Sequence, residues 1–384
     1  MPERSVPEYL RQFGEPVGYL DFARFGPVST AVQEVLARSA AQLHRGGWET
    51  LDGLDAEAAR TARTAALLLG CAPHEIAFVS STSHGMFAAA HAFGSAPAGG
   101  TVLVCRSDFP GAVYPWLRAA GNGGLAVRLL EGPVTVDAVR AHLDDRVRAV
   151  SVCAVDSATG YRTPLAAIKE LIGPQRVLVV DAVQALGAVP FAADAADVLA
   201  SGGQKWLRSG WGAALLLVRD RVAGLLGPGL GGWSGVVDPI DAPDHPRPAR
   251  PGAVAHTVTN PDGPAVAALG AGLGLVRELG VGRINALIGE ALGTLLDAAR
   301  AAGAETSGGE RTDDPGAGAD EAGGSGIARL RLPGADPLAV HDALTRAGLA
   351  TTRRGEWIRL SPHASTGPEP AERLAGALRA AAAG

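Results

Sequence analysis

The chain reads as an α/β protein: a mostly parallel sheet layered between helices, followed by a smaller α+β unit. Three patterns predict this. From about residue 75 to 180, short apolar runs alternate with helical patterns, the order that gives parallel strands joined by right-handed crossovers. Residues 177–180 are a continuous run of Val and Leu, as expected of a strand buried on both faces. Residues 327–332, 338–347 and 357–360 then read strand, helix, strand. At 384 residues the chain is long enough for two units with a substantial core.

In chain order, Tyr19-Leu-Asp-Phe-Ala-Arg-Phe-Gly-Pro27 is a short strand-like run that breaks at Gly26-Pro27. Ser29 is placed to cap a helix reaching about residue 43. Residues 51–69 form an amphipathic helix with Leu54, Ala58, Ala65 and Leu68 available for one face, and Gly70 stops it. A strand over 75–79 leads into Ser80-Ser-Thr-Ser-His-Gly85 and a helix through residue 92. Strands follow at 102–105, 126–130 and 147–155, with helices at 136–143 and 165–172. Asp181 ends the 177–180 strand. After it come Asp197, a Ser-Gly-Gly turn, Lys205 beside an aromatic, and a second apolar run over 213–218. Residues 226–251 are rich in Gly and Pro, and a loop that long in a compact protein is often functional. Helices are expected at 264–279 and 281–302. Residues 307–326 are polar and low in complexity, a composition that predicts mobility. The domain division is an N-terminal arm (1–24), a large domain (25–262) and a small C-terminal domain (263–384).

Hydrophobic residues make up 47% of the chain and charged residues 19%, which suits a globular enzyme. The net charge of −5 implies no nucleic-acid partner. The first fifteen residues carry scattered charges and no apolar core, so no secretory signal is expected. No apolar run approaches the ~20 residues of a membrane span, and the expected location is cytoplasmic. The three cysteines, Cys71, Cys105 and Cys153, have no metal-ligand spacing and are odd in number. They read as reduced thiols, and no metal site is expected.

A lone lysine between two buried strands is costly unless its charge is neutralised or used. A small-residue turn that opens a helix, as at Ser81-Thr-Ser83, presents free N–H groups and a positive dipole end to a phosphate. Together with Asp181, Gln184 and the run Ser201-Gly-Gly-Gln-Lys205, this resembles the class V aminotransferase family of fold type I pyridoxal phosphate (PLP) enzymes, which includes cysteine desulfurases and isopenicillin N epimerase-like proteins. The resemblance covers essentially the whole chain and is loosest over 226–260. It implies a large domain with a seven-stranded-type, mostly parallel sheet, PLP as cofactor, and a homodimer whose active sites are shared between subunits.

By position, the resemblance makes Lys205 the lysine that condenses with the cofactor aldehyde and Asp181 the partner of the pyridine nitrogen. Gln184 lies by the phenolic oxygen and Gln204 reaches the phosphate. Ser201 joins the cofactor contacts, and Ser81, Thr82 and Ser83 form the phosphate turn. Phe109 fills the ring-stacking position, although a core phenylalanine would read the same way. Tyr114 and Trp116 are candidates to line the pocket. Ser157 stands where relatives have an asparagine on the phenolic oxygen. Thr257 and Thr259, in His256-Thr-Val-Thr-Asn260, are both candidates to reach the partner's phosphate. Ile358-Arg-Leu-Ser-Pro362 matches the element whose arginine grips the substrate carboxylate, which points to Arg359. Arg24 is either a second carboxylate contact or an ordinary exposed arginine.

The reaction is less determined than the cofactor. Desulfurases carry a nucleophilic cysteine on a loop before the carboxylate-binding arginine, whereas Thr351-Thr-Arg-Arg-Gly-Glu-Trp357 runs almost directly into Arg359. The favoured reading is a C–S lyase performing β-elimination on a bulky cysteine S-conjugate or sulfoxide, with Lys205 as base. An aminotransferase or decarboxylating oxidative deaminase on the same kind of substrate is the alternative. An epimerase needs an acid on the opposite ring face, which Phe109 does not supply, and a non-catalytic scaffold conflicts with an intact Lys205 and Asp181.

Overall fold

Strand β5 (Val177–Asp181) runs through the middle of a seven-stranded sheet and is buried at every position. The structure is a computed structural model that describes residues 4–96, 99–239, 244–309 and 324–382. The other strands are β1 (Ile76–Val79), β2 (Thr101–Cys105), β3 (Ala126–Leu130), β4 (Val147–Cys153), β6 (Val198–Gly202) and β7 (Ala214–Val218), in the order β1-β7-β6-β5-β4-β2-β3. Neighbours from β3 to β6 are parallel, while β7 is antiparallel to both β6 and β1. This is the mostly parallel α/β sheet expected.

The helices follow from caps that the sequence shows. Ser29 accepts from the Val32 N–H at the start of α2 (Thr30–Arg45), and Ser81 accepts from the His84 N–H at the start of α4 (Thr82–Gly94). A short α1 (Val6–Leu10) precedes them, and α3 (Trp48–Leu69) ends at Gly70 in the left-handed conformation. α5 (Pro110–Gly121), α6 (Val136–His142) and α7 (Leu165–Ile172) are the crossovers. Alternate sheet residues face two different cores. Val180, Leu199 and Leu215 pack toward Trp206 and α8 (Gly263–Leu279), whereas Val179, Ala200 and Leu216 pack toward α4 and α5.

The division into units differs from the sequence reading. α8 packs against α2 and α3, and Ile284 and Ile288 of α9 (Val281–Ala301) belong to the same large core. Apart from Leu20 of the arm, the second core draws on the chain from Leu292 onward, so the units part within α9 rather than at residue 263. That second core holds a four-stranded antiparallel sheet, β10-β11-β9-β8, made of β8 (Glu305–Gly308), β9 (Ala328–Arg331), β10 (Thr352–Arg354) and β11 (Trp357–Leu360). α10 (Pro337–Arg346) and α11 (Glu369–Ala382) cover it. Ser307 and Gly308, expected in the polar segment, lie in β8, while residues 310–323 of that segment lie outside the described residues. The arm residues Tyr19 and Asp21 form isolated bridges to Ala350 and Ser361 rather than a strand, and so join the two units.

Candidate active site

β6 was not legible as a strand, because Val-Leu-Ala-Ser-Gly is small and weakly β-forming. It is held from both sides, by β5 in parallel register and by β7 in antiparallel register. Its position decides the site. Asp181 pairs with Ala200 and shares its face, and Gly202 returns to that face two residues later. Ser201 therefore points to the opposite face with Leu199. Its hydroxyl is fully buried without a hydrogen bond among the described residues, so the expected cofactor contact at Ser201 is corrected by strand parity.

Gly202 faces the turn instead. Its N–H donates to Thr82 Oγ1 at 2.8 Å, and a Cβ here would lie 3.0 Å from that oxygen and collide with the Gln204 side chain. Ser81 is spent as the helix cap, Thr82 bridges to β6, and Ser83 is exposed, with its hydroxyl beside Gly111. The backbone N–H groups of Thr82 and Ser83 have no partner among the described residues. Open N–H groups at a helix start, a glycine that leaves room and the Gln204 amide fit a phosphate.

Asp181 is buried, accepts from the Val183 N–H at 3.0 Å, and is pushed upward by desolvation against the pull of Lys205. Burial also drops the Lys205 amine to about 8, with Asp181 opposing the fall and the Arg359 and Arg354 charges adding to it. The Lys205 Nζ lies 5.8 Å from the centre of the Phe109 ring. Phe109 is 45% exposed, as suits a surface waiting for a partner rather than a core ring. The lysine loop is clamped from behind. The Gly26 N–H bonds the Gln204 carbonyl, and a Cβ at Gly26 would strike the Lys205 carbonyl. Arg208, buried and at φ 54°, pairs with Glu15 and donates to the Pro27 carbonyl.

The remaining expected residues have the following surroundings. The Gln184 carbonyl accepts from Trp206 Nε1 at 2.9 Å, and its amide donates to the Ala23 carbonyl at 2.8 Å, so most of its capacity is used inside the protein. Ser157 contributes its backbone, since its carbonyl accepts from Arg359 Nη1 at 2.7 Å. Trp116 is core, fully buried with its Nε1 on Ser151 Oγ at 2.8 Å, and does not line a pocket. Tyr114 is exposed. The Thr257 hydroxyl is buried and held by the Val254 carbonyl and Ser234, while Thr259 is exposed and accepts from Trp233 Nε1. Arg24 is exposed and near enough to Arg359 to lower its basicity.

Arg359 is 3% exposed and already paired, with Nη2 donating to Asp21 Oδ1 at 2.9 Å. Its Nε is buried without a partner. The sequence reading passed over Asp21, although it sits inside the quoted Tyr-Leu-Asp run. It also gave no role to Asp108, whose Oδ2 accepts from the Cys153 N–H at 3.2 Å and whose carboxyl is pushed up to about 7 by burial. β10 and β11 are joined through Gly355-Glu356 alone, which leaves no room for a cysteine-bearing loop there. Cys71 follows α3, and Cys105 and Cys153 are buried in β2 and β4. Among the described residues no group of acidic, His and Cys side chains has metal-holding geometry.

The profile of the family described as aminotransferase class-V matches residues 23–302. A probable cysteine desulfurase of Aeropyrum pernix is 31% identical over 252 residues, covering 60% of each chain. The chain spans between about two-fifths and three-fifths of the length of the first curated relatives it matches. Among solved structures, the apo cysteine desulfurase of Thermococcus onnurineus superposes with a TM-score of 0.83 at 18% identity, covering 99% of both chains. The cystine C–S lyase C-DES, solved with cysteine persulfide, gives 0.80 at 18% identity over 94% of this chain and 97% of its own. At such identity these two likenesses speak for the fold.

Proposed function

Because the chain belongs to the class V aminotransferase family of PLP-dependent enzymes, we propose that it is a C–S lyase that eliminates a thiol from a bulky cysteine S-conjugate. The observation that carries this reading is the tight Gly355-Glu356 connection, which stands where a desulfurase needs a cysteine loop. None of the three thiols lies on that connection. α-Proton chemistry needs only what is present.

Bound PLP supplies an aldehyde for the substrate amine and a ring that accepts the electron pair released at the α-carbon. The protein does the rest. Asp181 holds a proton on the ring nitrogen, and the open N–H groups of Thr82 and Ser83, with Gln204, take the phosphate. The Lys205 amine, with its basicity lowered to about 8, takes the proton from the substrate α-carbon. The C–S bond then breaks and the sulfur leaves with the bonding pair. Arg359 holds the α-carboxylate through its unpaired Nε, an orphan donor whose satisfaction is worth about 1–3 kcal/mol. The α-carboxylate competes with Asp21, which keeps the guanidinium aligned beforehand.

The proposed assembly is a homodimer in which exposed Thr259 reaches the partner's phosphate site. Thr257 is tied into its own turn. The test of the reaction is incubation with S-alkylcysteine conjugates. Pyruvate plus ammonia in equal amounts without an added amino acceptor supports elimination. Keto-acid formation that requires a second amino-group partner overturns it in favour of transamination, and aldehyde with carbon dioxide in favour of oxidative decarboxylation.

A further inference from the structure

A cavity of about 730 Å3 is lined by Cys105, Asp108 and Asp156 among others, and Asp108 lies close enough to Asp181 to feel its charge. Asp108 precedes Phe109, and Asp156 precedes Ser157, whose carbonyl holds Arg359. On the small-domain side the wall is Arg329, directly opposite Arg359 across the β9–β11 pair. Residues paired across strands share a face, so Thr352, Arg359, Arg329 and Ser307 form one row over the large domain.

Two arginines facing each other across a strand pair repel. Asp21 neutralises Arg359. Arg329 has no carboxylate partner among the described residues, and its Nε is buried without a hydrogen bond. Its guanidinium carbon lies 4.3 Å from the centre of the Trp357 ring, a cation–π contact that holds the side chain beside β11. Across the cavity, Asp156 Oδ1 accepts from the Ala158 and Thr159 N–H groups and the Thr159 hydroxyl, which ties that carboxylate to its own turn. Asp108 is the other carboxyl in the wall, and it titrates near neutrality because it is buried. Arg329 thus keeps an unsatisfied Nε in the cavity wall, beside the arginine proposed to hold the α-carboxylate.

We propose that this cavity is the substrate side-chain subsite and that Arg329 selects side chains ending in a carboxylate, through the planar two-point contact that guanidinium offers that group. The substrate is then an amino acid with a second acidic terminus, such as a carboxyalkyl cysteine conjugate. This rests on the cofactor reading above, but the test does not depend on elimination.

The holoenzyme is titrated with aspartate, glutamate, 2-aminoadipate and norleucine, and binding is read from the change in cofactor absorbance. The tightest of the three acids binds at least about tenfold better than norleucine. Arg329→Gln brings that ratio to within about twofold and leaves norleucine binding unchanged, while Arg329→Lys keeps an intermediate preference. Acids binding no better than norleucine to the wild type overturn the proposal, whether or not the variants fold. So does a preference that survives Arg329→Gln, or one lost only in Arg354→Gln. If no amino acid, norleucine included, perturbs the absorbance, the cofactor reading has failed instead.

Discussion

At each end of strands β5 and β6 an aspartate lies near a lysine, and the two ends use the pair in opposite ways. At one end Asp197, fully buried, is saturated: Lys169 Nζ and Arg221 Nε each approach at 2.6 Å, and the Leu178 N–H donates at 2.7 Å. At the other end Asp181 and Lys205 feel each other's charge without forming an ion pair, and the Lys205 amine has no hydrogen bond among the described residues. The first arrangement fixes the β5–β6 register and leaves nothing over for chemistry. The second leaves an amine and a carboxyl under-satisfied at a loop, which a folded protein keeps only where something else completes them.

Substitutions at the two ends sharpen that contrast. Lys205→Ala abolishes the lysine-linked cofactor absorbance and lowers turnover by about three orders of magnitude or more, measured as product formed by holoenzyme. Unchanged cofactor linkage in this variant would refute the assignment. Asp181→Asn keeps the linkage but slows turnover by at least about a hundredfold, because a neutral amide no longer holds the ring nitrogen protonated. Asp197→Asn does the reverse. It leaves two cations without their buried partner and destabilises the fold by about 3–5 kcal/mol in denaturant titration, while turnover per folded molecule stays near wild type.

The pH dependence of reconstitution tests the lysine end alone. Only the neutral amine attacks an aldehyde, and Lys205 loses its proton near pH 8 rather than at the ordinary 10.5. The rate at which apoprotein takes up PLP covalently therefore climbs through pH 7 and levels off above about 8. A rate still climbing between pH 9 and 10 would show that the amine is not depressed. The smallest effect belongs to the thiols: replacing Cys71, Cys105 and Cys153 together by alanine leaves elimination within about threefold of wild type. Loss of sulfur release in that protein would restore a persulfide route.

Strands β2 to β5 and the crossovers α6 and α7 were legible from continuous apolar runs and helical spacing, and α2 and α4 from the explicit caps at Ser29 and Ser81. β6 was not, since its residues are small and its strand state comes from being sandwiched by β5 and β7. That gap misplaced Ser201 by one residue of parity, and parity alone decides which side of a sheet a hydroxyl occupies. α5 was also missed, and with it the burial of Trp116. Lys205, Asp181 and Arg359 stood out because isolated charges between apolar runs need a reason. Asp21 and Arg329 did not, because their significance lies in cross-strand and long-range pairing that no local pattern encodes.

The arm that closes behind the lysine has a consequence for how the protein is made. Glu15 meets Arg208 and Ser365, Asp21 meets Arg359, and Phe22 stacks on His363. Residues 15–22 thus wait for residues 359–365, which are made more than 300 positions later. Contacts of such sequence separation form late. Until residues 359–365 exist, Glu15, Asp21 and Phe22 have none of these late partners, and the wall behind the lysine stays open.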